Sequence, residues 1–279
     1  MLPHFSSLRP KTKGEALTYL SDLDRAKLLA GGTDLLVRMK RGESHDYLID
    51  ITAIEELSGA VLNGGRIRVG AGTTHRSLSL SPLVLESARS LAQAASWIGS
   101  PQIRTMGTIG GNLVNASPAA DSIPPLLVHD ALLTLESMDG ERTERVEDFI
   151  IAPYTTTTTG REMLTALSLE PLPAYEEGYR RVAKRAAWAI SRLGIAWSIL
   201  EQEGTFADVR LAIGSCTPLP FRARKVERFL TGRKREIAVT REAVKICLDE
   251  IRRISGERPS FTYKLPVVRD LLQAILGGR

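Results

Sequence analysis

The chain has 279 residues, 43% hydrophobic and 25% charged, a globular composition with length for one large domain or two modest ones. Lys and Arg number 37 against 32 Asp and Glu; this small excess lacks the aromatic interleaving of a nucleic-acid surface, so nucleic acid is not an expected partner. The two cysteines, Cys216 and Cys247, form no CxxC pair, which leaves no iron–sulfur or structural zinc site to expect on this chain.

The opening stretch "MLPHFSSLRPKTKGEA" has no apolar targeting core, and nowhere do 18 apolar residues run together. No membrane span is expected, and the expected location is cytoplasmic. From Lys11 to Leu23, the apolar residues Ala16, Leu17, Leu20 and Leu23 share one helical face. "AKLLAGGTDLLVRMKRG" reads as strand, tight turn and helix, with Thr33 or Asp34 capping the helix and Gly42 ending it. Asp46 to Thr52 reads as a short buried strand, and Asn63-Gly64-Gly65 as the turn of a hairpin. Leu85, Ala88, Leu91, Ala92 and Ala95 predict one helix over Leu83 to Trp97.

Beyond the central loop, a hairpin turning at Asp139-Gly140 and a strand over Glu162 to Pro171 are expected. Thr155 to Thr159 reads as a surface connection. The prolines and charges of "PLPAYEEGYRR" suggest a domain boundary. Two antiparallel strands should follow, meeting at Glu203-Gly204. Helices near Lys225 to Leu230, Arg241 to Ile254 and Val267 to Ile275 complete the chain.

Two segments carry chemistry. In "AGGTDLL", Gly31, Gly32, Thr33 and Asp34 lead into a helix, a pattern that brings main-chain N–H groups and the positive helix end to an anion. Taken alone the signal is weak, because Gly-Gly before a helix is often just a turn. "TIGGNLVNASPAADSIP" adds Gly107, Gly110 and Gly111, with Thr108, Asn112, Asn115 and Ser117 as side-chain donors. Apolar neighbours argue against wide exposure of a loop whose polar groups need partners. Asp121 either accepts hydrogen bonds from a ligand or caps the helix at "PPLLVHDA"; spacing does not choose. "VGAGTTH" lacks the third glycine of a dinucleotide fingerprint and follows a hairpin, and no P-loop exists. His4, His45, His75 and His129 share no metal-ligand spacing and read as ordinary histidines. No nucleophile elbow is found.

"AGGTDLL" some eighty residues before "TIGGNLVNASPAADSIP", with "KRAAWAISRLGIA" and "VRLAIGSCTPLPFRARKVERFLTG" beyond, resembles the FAD-binding medium subunits of molybdenum hydroxylases, the xanthine and carbon monoxide dehydrogenase type. The resemblance implies an α+β fold. A two-lobed FAD-binding domain of the vanillyl-alcohol-oxidase type (1–173, lobes near 1–58 and 59–173) would precede a smaller C-terminal α+β domain, 174–279, of antiparallel sheet plus helices. It implies one FAD, its diphosphate clasped by Leu29, Ala30, Gly31, Gly32, Thr33, Asp34 and Leu35 on one side. Thr108, Ile109, Gly110, Gly111 and Asn112 would clasp it on the other. Asp121 matches a family aspartate near the flavin, Leu164 an apolar contact, and Lys184 or Arg181 a basic contact; Ile98, beside Trp97, stands where some members have an aromatic residue. Neither loop has a His or Cys for a covalent flavin link, so the FAD should be non-covalent. The resemblance further implies a small partner subunit with two [2Fe–2S] clusters and a large molybdopterin subunit, in a dimer of heterotrimers. Electrons would pass through FAD to NAD⁺ or another acceptor. The alternative is a stand-alone flavoprotein oxidoreductase with its own substrate pocket.

Overall fold

A computed structural model describes residues 2–183 and 190–277. The first unit holds β1 (Ser6–Leu8), α1 (Lys13–Asp22), β2 (Ala26–Leu29), α2 (Leu35–Lys40) and β3 (Tyr47–Asp50). Its strands form a parallel sheet in the order β1-β3-β2. Parallel strands need a crossover between them, and α1 and α2 supply it. Ala16, Leu17 and Leu20 of α1 pack on Ile49, Ile51, Ile54 and Leu57, so the predicted helical face is the buried one.

The second unit runs from β4 (Ala60–Asn63) and β5 (Arg66–Gly70) through six helices: α3 (His75–Leu80), α4 (Pro82–Ser87), α5 (Arg89–Trp97), α6 (Pro101–Met106), α7 (Ile109–Asn115) and α8 (Ile123–Val128). It closes with β6 (Leu132–Ser137), β7 (Gly140–Arg145), α9 (Val146–Phe149), β8 (Ile150–Ala152), β9 (Thr155–Thr156) and β10 (Met163–Leu169). Its antiparallel sheet runs β4-β5-β10-β6-β7. Gly64 and Gly65, at φ +56° and +75°, make the expected hairpin turn, conformations glycine reaches at no steric cost. Two of the threonines read as a surface connection form the short strand β9 against β8.

The helix expected over Leu83 to Trp97 is broken at Ala88 (φ −150°, ψ 54°). The break has a cause that lies outside the helix. The Ser87 carbonyl turns out to accept the amide of Leu172 at 2.9 Å. The carboxylate of Glu177 accepts the amides of Arg89 and Ser90 at 3.1 and 2.7 Å, starting α5 afresh. A carboxylate at a helix start satisfies open amides and complements the dipole.

The third unit is an antiparallel sheet of β11 (Glu176–Ala183), β12 (Ser191–Gln202), β13 (Thr205–Gly214) and β14 (Phe221–Arg222). Helices α10 (Arg224–Leu230), α11 (Ile237–Ser255) and α12 (Phe261–Leu276) cover it. β12 and β13 meet at Glu203 and Gly204, both at positive φ. One face of this sheet buries Ile195, Leu211 and Ile213 beneath the helices. The opposite face gives Tyr179, Ala196 and Ala212 to the core of the second unit. A Cβ on Gly214 would come within 2.8 Å of Pro124 at the start of α8. Asp130, just after α8, accepts hydrogen bonds from Arg145, Arg210 and Arg222, and Arg210 also grips Glu170 through both oxygens. The second and third units are therefore joined by packing and by charge.

Candidate functional site

β2 ends at Leu29 and the chain turns through Gly31, Gly32 and Thr33 into α2, as the sequence predicts. Gly32 adopts φ +68°, where a side chain would be strained. Asp34 occupies the cap position of α2, but neither it nor Thr33 caps the helix with its side chain. The turn ahead of the helix is open as well: among the described residues, the N–H groups of Gly32, Thr33 and Asp34 meet no protein acceptor.

The second segment is not a loop but the start of α7. The Thr108 side chain accepts the Gly111 amide at 3.1 Å, a helix cap, and Gly110 and Gly111 fall in the first turn. Here the amides are used. Ile109 donates to the Thr73 carbonyl, Gly110 to that of Ala71, and Asn112 to that of Thr108. The segment "VGAGTTH", set aside as a dinucleotide motif, is the backing on which α7 begins. A Cβ at Gly110 would strike Ala71 at 2.7 Å, which is why glycine stands there. Side chains carry the polar capacity of this loop: Ser122 Oγ donates to Asn112 Oδ1 at 2.5 Å, which fixes the amide and leaves its NH₂ without a partner among the described residues.

The two loops touch. A Cβ on Gly31 would fall on the Met106 carbonyl, and Gly107 lies beside Thr33 Oγ1. Between and below them runs a cleft of about 460 Å³. Ala30, Gly31, Gly32, Thr33, Asp34 and Leu35 line it from one side; Thr108, Gly110, Gly111 and Asn112 line it from the other, with Leu164 of β10. Leu29 and Ile109 do not line it. Ile109, the first residue of α7, is fully buried, and Leu29 packs beneath Gly32. Lys184 lies outside the described residues.

Asp121 is not among the lining residues either, and it does not cap α8; Ser122 occupies that position, its hydroxyl turned to Asn112 rather than to the helix amides. Its carboxylate is 7% exposed and accepts Tyr179 Oη–H at 2.6 Å and the Arg181 guanidinium at 3.1 Å. Burial pushes the Asp121 carboxyl up, against the pull of Tyr179 and Arg181, and holds the Tyr179 phenol well above its ordinary value. Arg181 in turn lies over the ring of Trp97, 5.7 Å from its centroid. The polar cluster thus packs against Trp97, the residue before Ile98, which does line the cleft.

Several cleft residues were not foreseen. Arg38 of α2 donates to Asn115 Oδ1 at 2.6 Å, bridging the helices that leave the two loops, and pairs with Glu43 at 2.7 Å. Burial opposes ionisation of Glu43, but His45 and Arg38 outweigh it and hold the carboxyl below its usual range. His75 also lines the cleft, 2% exposed, its ring pKa lowered to about 4 by burial and by Arg104. The signal for Arg38 was its place one turn past the glycine loop. For His75, no sequence signal separates it from a core histidine. No group of three His, Cys, Asp or Glu among the described residues is arranged to hold a metal ion, and no helix among them is long and apolar enough to cross a membrane.

Residues 3–172 match the family described as the FAD binding domain in molybdopterin dehydrogenase, and 178–277 match the carbon monoxide dehydrogenase flavoprotein C-terminal domain. The chain is 32% identical over 271 residues to the glyceraldehyde dehydrogenase medium chain of Sulfolobus acidocaldarius, covering 96% of each. It is 30% identical over 273 residues to the xanthine dehydrogenase FAD-binding subunit of Escherichia coli O157:H7, covering 96% of this chain and 94% of that one. Its fold superposes on a chain of carbon monoxide dehydrogenase from Hydrogenophaga pseudoflava with a TM-score of 0.90 at 28% identity, over 98% and 96% of the two chains.

Proposed function

Because this chain belongs to the family of FAD-binding medium subunits of molybdenum hydroxylases, we propose that its cleft holds one FAD non-covalently and that it works as the electron-transfer subunit of a larger oxidoreductase. The observation that carries the reading is the set of open amides at Gly32, Thr33 and Asp34 in the cleft wall. An anionic diphosphate would satisfy them, as anions satisfy open amides at turns and helix starts elsewhere. The donor set fits. Ala30 to Leu35 would hold the diphosphate from one side; the Thr108 hydroxyl and the Asn112 NH₂ would hold it from the other, where Gly111, its amide already given to Thr108, leaves room for the ligand. Leu164 offers an apolar contact. Leu29, Ile109 and Gly110 contribute by placing those groups. Asp121 would act through Tyr179 and Arg181, which pack on Trp97, on the flavin side of the cleft. Lys184 remains a proposed contact on the resemblance alone.

A bound flavin supplies two-electron storage that can be filled singly or in pairs, chemistry no side chain of this chain offers. The chain's own part is to bind, orient and exclude water. The cleft's apolar wall of Ile98, Ile103, Leu164 and Met163 serves the last of these. We assign the electron source to a small [2Fe–2S] subunit working with a large molybdopterin subunit, in a dimer of heterotrimers in the cytoplasm, and the acceptor to NAD⁺. The proposed division of the chain is 1–173 and 174–279, with the first part split near residue 58.

The test is flavin retention. Wild-type protein should purify yellow, or turn stoichiometrically yellow with added FAD, and Gly110→Val should stay colourless, because its branched side chain has no room beside Ala71. A Gly110→Val protein with full visible flavin absorption would remove the basis of the assignment. Anaerobic titration with NADH tests the acceptor separately.

A further inference from the structure

We infer that Arg38 is a positioning residue for the dinucleotide: its bond to Asn115 holds the two walls of the cleft at the spacing where a diphosphate meets donors from both. The inference rests on the assignment of the cleft to FAD. Residues 27–43 and 98–115 supply most of the lining, one stretch to each wall. At the glycine loops the walls touch by packing, Gly31 against the Met106 carbonyl and Thr33 beside Gly107. Farther out, Arg38 Nη1 donates to Asn115 Oδ1 at 2.6 Å. Among the described residues, no other hydrogen bond joins the two stretches.

Each partner is held for this bond. Arg38 lies one turn into α2, and the Glu43 amide donates back to its carbonyl at 3.2 Å. Glu43 then accepts the guanidinium Nε–H at 2.7 Å, while its other oxygen meets His45 Nε2 at 2.8 Å. A planar guanidinium anchored at Nε has its Nη groups aimed with it. Asn115 is the last residue of α7; Ala116 ends the helix at φ +47°, and its carbonyl accepts the Tyr154 amide at 2.9 Å. Arg38, Glu43 and Asn115 all line the cleft. At the helical rise, the tie lies about 10 Å along α7 from Thr108. Walls that touch at one point can still open as a hinge, and a second point that far away removes the freedom. A ligand gripped from both sides binds more tightly when the grip is spaced beforehand. With its side chain 41% exposed, Arg38 sits at the mouth, where the tie can open to admit a ligand.

The probe is FAD, and its dissociation rate is followed by the return of flavin fluorescence. Arg38→Met and Asn115→Leu should each speed dissociation about tenfold, the loss typical of a hydrogen bond to a charged group. Asn115→Leu changes no charge, so a loss shared by both variants separates the tie from simple attraction between guanidinium and phosphate. The double variant should release FAD no faster than either single one, since all three lack the same bond. Apo melting temperatures should stay near that of the wild type, because a half-exposed pair adds little to stability. Coupling is reciprocal: if the tie retains FAD, bound FAD must strengthen the tie. In nitrogen-15 spectra of the wild type, rotation of the Arg38 Nη groups should therefore slow when FAD is added. A loss confined to Arg38→Met, losses that multiply in the double variant, or release that quickens only as apo stability falls would overturn the proposal. Should the variants fail to fold, the wild-type spectrum decides, and Nη rotation indifferent to FAD would refute it. Wild-type protein that binds no FAD would instead overturn the reading of the cleft itself.

Discussion

A single methyl group at position 31 would land on the carbonyl of Met106, in the other glycine loop. Gly31 is small for the sake of that contact, and so is Gly110 against Ala71. Gly31→Ala should force the loops apart, lowering stability by about 1–3 kcal/mol as overpacked sites do and abolishing flavin retention. Melting temperature and visible absorption together check it; unchanged flavin content would show that the contact does not shape the cleft. His75 makes a second prediction, about pH. Its folded pKa lies near 4, below its value in the unfolded chain. The unfolded state therefore binds more protons at mild acidity, and the contribution to stability is present above about pH 6.5 and lost as pH falls from there toward 4. Apo melting curves should show that loss in the wild type and less of it in His75→Phe. The glycines and threonines of the two segments were legible as a candidate site only when taken together, since a lone glycine turn is common. Which amides the fold would consume was not, since their acceptors, Ala71 and Thr73, sit in a segment dismissed on its motif.

Elements were read well where periodicity was strong, and missed where a distant group intervened. The strands around Gly64-Gly65 and Glu203-Gly204 followed from turn chemistry, and α11 from its apolar stripe; α12 starts at Phe261 and runs through Pro266, ahead of the Val267 start expected. The break at Ala88 could not be seen, because Glu177 makes it from 88 residues away. Glu177 also meets His129 Nε2 at 2.7 Å, with its side chain 2% exposed. Burial raises the Glu177 carboxyl, but His129 and the Ser90 amide more than offset this and hold it below its ordinary value. With a depressed folded pKa, its stabilisation is present above the unfolded carboxylate range and lost as pH falls through the folded value. Glu177→Gln should destabilise by about 3 kcal/mol, as breaking one side of a buried charged network does, and should flatten the acid limb of a denaturation profile. A Gln variant with an unshifted midpoint would mean that α5 starts without this cap.

At the scale of the molecule, the α+β fold was legible through the resemblance that the glycine motifs carry, and the close association of the units was not legible at all. Ala196 and Ala212 are small, unremarkable residues in sequence, yet they face α8 and belong to the core of the second unit. Asp130 holds Arg210 and Arg222 of the C-terminal sheet, both nearly buried. A fragment ending at 173 would leave that core face bare and α5 without Glu177. It should be recovered aggregated or protease-sensitive, and co-expression with 174–279 should rescue it; a monomeric fragment with a sharp melt would contradict this. The same seam sets an order of events during synthesis. While the ribosome is still adding residues 174–214, the nascent chain has every residue of both glycine loops, but the surface of α8 has no cover. The seal comes from a strand pair whose hairpin is among the later parts to emerge, so firm uptake of a ligand should wait for nearly the whole polypeptide.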